Sequence, residues 1–223
     1  MWCEIAHFVR HAPGVVAMSF RLSHAELFDC LMDRADDAGY DRRRAALVEG
    51  LTGDVLEVGC GTGRMFQHYP LAARVTAVEP DADLSARARQ RAADARAEIR
   101  LVAAAGERLP FAAGSFDAVV LSNVLCSVRC APTALSEIRR TLRSGGELRA
   151  NEHVSSERRL SHVLMHAFNP GWRLWNRVGC NMNRRTDRSI REAGFEIQDI
   201  EPFQVFSPGI PAFPSLAIRA RIG

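Results

Sequence analysis

The sequence predicts an α/β fold: one seven-stranded sheet, mostly parallel, with helices on both faces and an antiparallel hairpin at its C-terminal end. Three observations carry this. Apolar strand-like runs alternate with helical stretches from about residue 41 onward, which is the pattern of a parallel sheet covered on both sides. The first strand runs straight into a glycine-rich turn, Gly59-Cys60-Gly61-Thr62-Gly63. The last two strand-like runs have no helix between them.

In chain order, Asp41 is expected to cap a helix carrying Ala45, Leu47, Val48 and Leu51. Residues 54–58 form a short apolar strand ending at glycine, and 74–78 form a second, ending at Glu79-Pro80. A polar helix over about 81–97 follows, then strands at 99–102 and 116–121. Pro132 opens a helix whose Leu135, Ile138 and Leu142 share one face, and Gly145 and Gly146 are expected to stop it. The fifth strand is 146–151; 195–200 and 216–220 make the terminal hairpin across a long, proline-rich loop.

Composition bounds the function. With 223 residues, 47% hydrophobic and 25% charged, the chain has the size of one large domain and can bury a core without disulfides or metal. A net charge of +3, with no basic run carrying interleaved aromatics, argues against a nucleic-acid partner. All basic residues other than histidine are arginine. The six cysteines (Cys3, Cys30, Cys60, Cys126, Cys130, Cys180) include no Cys-x-x-Cys pair, so reduced thiols, no metal and a cytoplasmic location are expected. Residues 1–20 mix apolar stretches with Glu4, Arg10, His11 and Pro13. They read as a loose or upstream-extended N-terminus, with Met18 as another start, or alternatively as an interfacial segment touching lipid.

The glycine turn carries the sharpest chemistry. Glycine takes positive φ and removes a Cβ where backbone approaches a ligand. A dinucleotide fingerprint Gly-x-Gly-x-x-Gly would place its third glycine at 64, where the chain has Arg64. The glycines instead stand at 59, 61 and 63. Glu57 inside the motif suits a ligand bearing an ammonium and a sulfonium better than one bearing phosphates. Glu79 ends the next strand, where a carboxylate accepts from both hydroxyls of a ribose. These features select S-adenosylmethionine (SAM) as cofactor, leaving S-adenosylhomocysteine as product.

From Val55 to about Ile200 the sequence resembles the class I SAM-dependent methyltransferases of the ubiquinone/menaquinone methyltransferase-like group. Four blocks carry the likeness: the glycine turn; Glu79-Pro80-Asp81; Gly106-Glu107-Arg108-Leu109-Pro110-Phe111 with Ser115-Phe116-Asp117-Ala118-Val119; and Leu142-Arg143-Ser144-Gly145-Gly146-Glu147. The resemblance implies a Rossmann-like fold, with residues 1–40 an N-terminal segment and helical lid and 41–223 the methyltransferase domain. It implies that Gly59, Cys60, Gly61, Thr62 and Gly63 cradle the methionine and ribose of SAM. Glu79, with Pro80, holds the ribose hydroxyls; Gly106 and Glu107 lie along the adenine; Ser122, Asn123 and Val124 close over the methionine end. Many relatives carry an Asp where this chain has Ala105, so adenine recognition leans on backbone groups and Glu107. A narrower likeness, in Val124-Leu125-Cys126-Ser127-Val128, Glu152-His153-Val154, Pro170-Gly171-Trp172 and Gly179-Cys180, is to the alkyl-thiol methyltransferases of animals and their bacterial relatives.

Methyl transfer from a sulfonium is an in-line displacement that gains most from alignment in a water-poor pocket. His153, after the fifth strand, is the expected base or acceptor-orienting group. Glu152 either orients that ring or is solvated. Trp172 and Trp175, with Phe168, are expected as walls of the acceptor pocket or as plain core. His162 and His166 read as surface or packing residues, Cys126 and Cys180 as small buried hydrophobes, and Arg184-Arg185 as an exposed pair. The expected activity is methylation of a small, hydrophobic acceptor, with a thiol narrowly favoured over a lipid amine or quinone carbon. A SAM-binding regulatory protein without activity is the rival of a different class.

Overall fold

In this computed structural model the described residues are 23–176, 179–204 and 214–222, the side chains of 175 and 176 apart. The expectations for residues 1–20 and for the Trp175 side chain lie outside them. The helices are α1 (His24–Asp37), α2 (Tyr40–Val48), α3 (Ala82–Ala93), α4 (Ala131–Thr141), α5 (Arg159–Asn176) and α6 (Thr186–Glu192). The strands are β1 (Gly53–Val58), β2 (Ala73–Val78), β3 (Glu98–Val102), β4 (Phe116–Ser122), β5 (Leu142–His153), β6 (Phe195–Phe203) and β7 (Ser215–Ile222).

They form one seven-stranded sheet in the order β3-β2-β1-β4-β5-β7-β6. The β1–β2, β1–β4, β2–β3 and β4–β5 pairs are parallel; β7 runs antiparallel to both β5 and β6. The expected architecture, terminal hairpin included, is the one observed. Because β2 and β4 flank β1, the connections leave it in opposite directions, and a crevice opens at the carboxyl ends of β1 and β4, where such sheets bind ligands.

Both faces of the central strands are buried. Leu56, Val58, Val119 and Leu121 face a core closed by Leu135 and Ile138 of α4 and Ile190 of α6. Val55, Ala118 and Val120 point the other way, toward Leu47 and Val48 of α2 and Ala88 of α3. The alternation of strand side chains puts Glu57 on this second face.

Two local expectations are corrected. Asp41 does not cap α2: the N-cap is Gly39, with φ of 102°. The Asp41 carboxylate instead bonds His68 Nε2 at 2.9 Å. Gly145 and Gly146 do not stop α4, which ends at Thr141 as the chain enters β5. They serve the irregular start of that strand, where the β4–β5 register shifts between Phe116 and Ala118. A Cβ on Gly146 would lie 3.0 Å from the Asp117 carbonyl oxygen.

Helix α1 opens with a capping box: Ser23 Oγ accepts from Glu26 N, and Glu26 Oε2 accepts from Ser23 N. Three of its aspartates meet one cation, with Arg64 donating to Asp29 (3.1 Å), Asp33 (2.5 Å) and Asp36 (2.7 Å). Among the described residues no helix is long and apolar enough to cross a membrane.

Candidate functional site

A cavity of about 720 Å³ occupies the crevice. One end is built by the glycine turn. Gly59, Gly61 and Gly63 take φ of 68°, 57° and 80°, a region in which side chains are strained. The turn is fixed by Gly59 N and Cys60 N, which donate to the Val78 carbonyl. A Cβ on Gly61 would lie 3.1 Å from the Phe28 ring, so α1 packs directly on the turn and walls the cavity. Thr62 is fully buried and turned away, donating from Oγ1 to Asp29 at 2.8 Å.

Glu79 is buried at the end of β2 with its carboxylate held by two backbone amides. Gly61 N donates to Oε2 at 2.9 Å and Asp81 N to Oε1 at 3.0 Å. Each oxygen keeps a further lone pair for a ligand hydroxyl. Burial pushes this carboxyl above its ordinary value, against the pull of the two amides. Glu57 is more deeply buried, and burial raises it to about 8. It lines the cavity beside the Tyr69 hydroxyl, and among the described residues its Oε2 lacks a hydrogen-bond partner. An orphaned buried carboxylate oxygen, a glycine cradle and a second acid held by amides together fit a ligand carrying an ammonium and a vicinal diol. Pro80 and Gly106 also line the cavity. A Cβ at Gly106 would crowd Val58 at 3.1 Å, so that close approach needs glycine. Glu107 lines it too, but its Oε1 already accepts from Arg129 N (2.7 Å) and Cys130 N (3.3 Å), just before α4.

Beyond β4 the chain turns through Asn123, which has φ of 58° and whose amide donates to the Asn151 carbonyl. Tyr40 from α2 ties this turn down, since its hydroxyl meets Ser122 Oγ at 3.0 Å and accepts from Asn123 Nδ2 at 2.9 Å. The next three amides converge on one acid. Val124 N and Leu125 N donate to Glu152 Oε1 at 2.7 and 2.9 Å, and Cys126 N donates to Oε2 at 3.2 Å. Glu152 is completely buried, so it is not solvated, and it holds the β4 loop. Burial raises its carboxyl to about 7 while the three amides pull it down.

The opposite end of the cavity is walled by Cys126, His153, Trp172, Cys180 and Ser215. His153, half-buried at the end of β5, places Nδ1 3.7 Å from Cys180 Sγ. The Cys126 thiol beside it lowers the Cys180 thiol against the effect of burial, and the neighbouring Trp172 indole lowers it further. Asn181 braces this end, with both its backbone N and its Nδ2 donating to the Cys126 carbonyl at 2.9 Å.

Other expected candidates fall elsewhere. Phe168 is 66% exposed on the outer face of α5 rather than in the cavity. Arg184 is a brace rather than an exposed cation, donating to the carbonyls of Leu125 and Val128. His162 meets Ser155 Oγ at 2.7 Å and His166 meets Asn183 at 3.1 Å, both outside the cavity lining. Sequence reasoning missed the cavity roles of His24, Phe28 and Tyr40. The Ser23–Glu26 capping box is the signal that marks the start of α1.

Residues 56–150 match the methyltransferase domain family. The chain is 36% identical over 154 residues to the human thiol S-methyltransferase TMT1A, covering 67% of this chain and 63% of that one. It is 38% identical over 161 residues to the human thiol S-methyltransferase TMT1B, covering 68% and 66%. The chain thus spans just under two thirds of the length of these relatives. The solved structure of geranyl diphosphate methyltransferase in complex with SAM superposes with a TM-score of 0.67 at 15% identity, covering 96% of this chain and 92% of that one, which is a likeness of fold.

Proposed function

We propose that this chain, which belongs to the SAM-dependent methyltransferase family, methylates a small hydrophobic acceptor, a thiol in the first instance. The carrying observation is the single cavity that joins the glycine turn, Glu57 and Glu79 to a second end walled by Cys126, His153, Trp172 and Cys180. When bound, SAM supplies an electrophilic methyl on a sulfonium. Glu57 receives its ammonium and Glu79 its ribose hydroxyls, while Gly59 and Gly61 let the backbone come close. Pro80, Gly106 and Glu107 border the adenine, and Asn123 and Val124 border the methionine end.

At the acceptor end, apolar and sulfur-bearing walls exclude water, which favours a reaction between an anionic nucleophile and a cationic donor. His153 is the residue placed to orient the acceptor or take its proton. The thiol reading over lipid amines or quinones is supported by the two human thiol S-methyltransferases, and among the described residues these walls hold no acidic side chain for a lipid ammonium.

The test is calorimetric titration with SAM, followed by transfer of labelled methyl to a panel of alkyl thiols, phosphatidylethanolamine and a demethylated quinone. Label appearing first on thiols supports the reading. No SAM binding removes it, labelling of the lipid or quinone alone moves the acceptor, and binding without turnover on the whole panel favours a regulatory protein.

A further inference from the structure

Three side chains of ligating chemistry converge at the acceptor end. Cys126 comes from the loop after β4, His153 from the last position of β5 and Cys180 from the segment after α5. Their ligand atoms all lie within 4.8 Å of one another, and His153 Nδ1 is 3.7 Å from Cys180 Sγ. A tetrahedral zinc site, with bonds of about 2.3 Å to sulfur and about 2.0 Å to nitrogen, separates its ligand atoms by about 3.6–3.8 Å. The spacing is held by the backbone: Glu152 fixes the Cys126 amide, and Asn181, next to Cys180, fixes the Cys126 carbonyl. Cysteine spacing in the sequence predicts no metal, but that rule looks for pairs close in sequence, and here three separate segments meet.

We propose that Cys126, His153 and Cys180 bind a divalent zinc-type cation and that the acceptor thiol takes its fourth coordination position. This deepens the reading above and rests on it for the methyl donor. Two sulfurs and an imidazole select a soft or borderline ion over magnesium or calcium. Three protein ligands with an open position is the arrangement of catalytic rather than structural zinc. Coordination deprotonates a thiol outright near neutral pH.

The step balances. The acceptor R–SH loses its proton to solvent as its sulfur binds the cation. The sulfur lone pair then forms the S–CH₃ bond while the methyl–sulfonium bond breaks, giving R–S–CH₃ and S-adenosylhomocysteine. Two protein thiolates neutralise the cation, so the bound acceptor thiolate gives the centre one net negative charge. The cationic donor cancels that charge, and a water-poor cavity favours such a collapse. His153 is then a ligand rather than a base. Glu152, which holds the Cys126 amide, and Trp172, which lines the cavity with the three ligands, are the neighbouring groups that would orient the centre.

The test adds Co²⁺ alone to the full chain kept reduced with a phosphine. The expected result is thiolate-to-cobalt charge-transfer absorption with tetrahedral d–d bands, abolished by Zn²⁺ and shifted by hexane-1-thiol. Cys126→Ser and Cys180→Ser should each weaken cobalt binding at least about 100-fold, and His153→Gln at least about 10-fold, while SAM affinity stays within about threefold. Absence of the charge-transfer band, or the same spectrum in the Cys126→Ser/Cys180→Ser double variant, overturns the proposal. So does the loss of two titratable thiols on mild oxidation when no cobalt spectrum forms in the reduced chain, which marks a redox pair instead. Cobalt bands without SAM binding support the metal centre and sink the donor reading alone.

Discussion

Glu79→Gln separates what the carboxylate does for the fold from what it does for the donor. In the fold it accepts from Gly61 N and Asp81 N at 2.9 and 3.0 Å. Glutamine keeps one acceptor oxygen and turns an NH₂ toward the other amide, losing about 1.5–3 kcal/mol of charge-assisted bonding. Against this, burial penalises the ionised carboxylate, since its pKa is raised, and glutamine removes that penalty. The two effects oppose, so the free protein should lose only about 1–2 kcal/mol. The donor gains from no such offset. Two ribose hydroxyls bonded to a carboxylate contribute about 3–6 kcal/mol, and one neutral bond to glutamine returns about 1 kcal/mol. A net loss of about 2–5 kcal/mol weakens SAM binding about 30- to 5,000-fold. Urea unfolding of the free protein and calorimetry with SAM read the two quantities independently. A Kd within about threefold of the parent, at unchanged midpoint, would remove Glu79 from the ribose.

Further predictions concern the buried acids and the turn. Glu57 has a folded pKa raised from 4.5 to about 8, so between those values the fold holds a proton that the unfolded chain has released. Stability should therefore fall as pH rises through that window, by up to about 5 kcal/mol. Glu57→Gln should flatten the curve, and an unchanged slope would refute the assignment. Binding of the donor's ammonium should expel that proton, which calorimetry in buffers of different ionisation enthalpy detects. Glu152→Gln strips the β4 loop of part of its three-amide acceptor but also relieves the burial penalty on the carboxylate, and should cost about 1–2 kcal/mol in urea unfolding; a loss below about 0.5 kcal/mol would contradict the role given to it. Gly63→Ala should cost about 2–4 kcal/mol, because it adds strain at φ of 80° to a Cβ 2.6 Å from the Phe66 ring and 3.1 Å from the Ala88 backbone. Gly114→Ala, at φ of 64° in open space, carries the strain alone and should cost about 1–2 kcal/mol.

The end of the cavity built on the glycine turn was legible in the sequence because its determinants are local. A strand, a turn and the acid at the next strand end are each a few residues long, and parallel pairing of β1 with β2 brings them together. The sheet was legible for the same reason, through short apolar runs bounded by glycines. The acceptor end was not, because it exists only once β4 lies beside β5, with Ser122 opposite Asn151, and the segment after α5 folds back on both. Glu152 illustrates the limit. A charged residue at a strand end reads as solvated, and nothing nearby in sequence announces three amides from another loop. Asp41 and Gly145 misled for a related reason: cap-forming residue types are also the types that answer a tertiary contact or an irregular ladder.

Arg64, the residue that breaks the dinucleotide pattern, also fastens α1 by bonding Asp29, Asp33 and Asp36 across the glycine turn. Asp29 in turn gathers Arg91 and Thr62. The latch over the glycine turn is thus ionic and grips the turn itself through Asp29 and Thr62, so loosening it should unseat the helix and the turn in one event. Of its three contacts, the one to exposed Asp33 is open to screening by mobile ions, while those to Asp29 and Asp36 are shielded. With the donor seated on that turn as proposed, the exposed contact is a handle on how fast spent donor leaves, a step that sets turnover in many enzymes with closing lids.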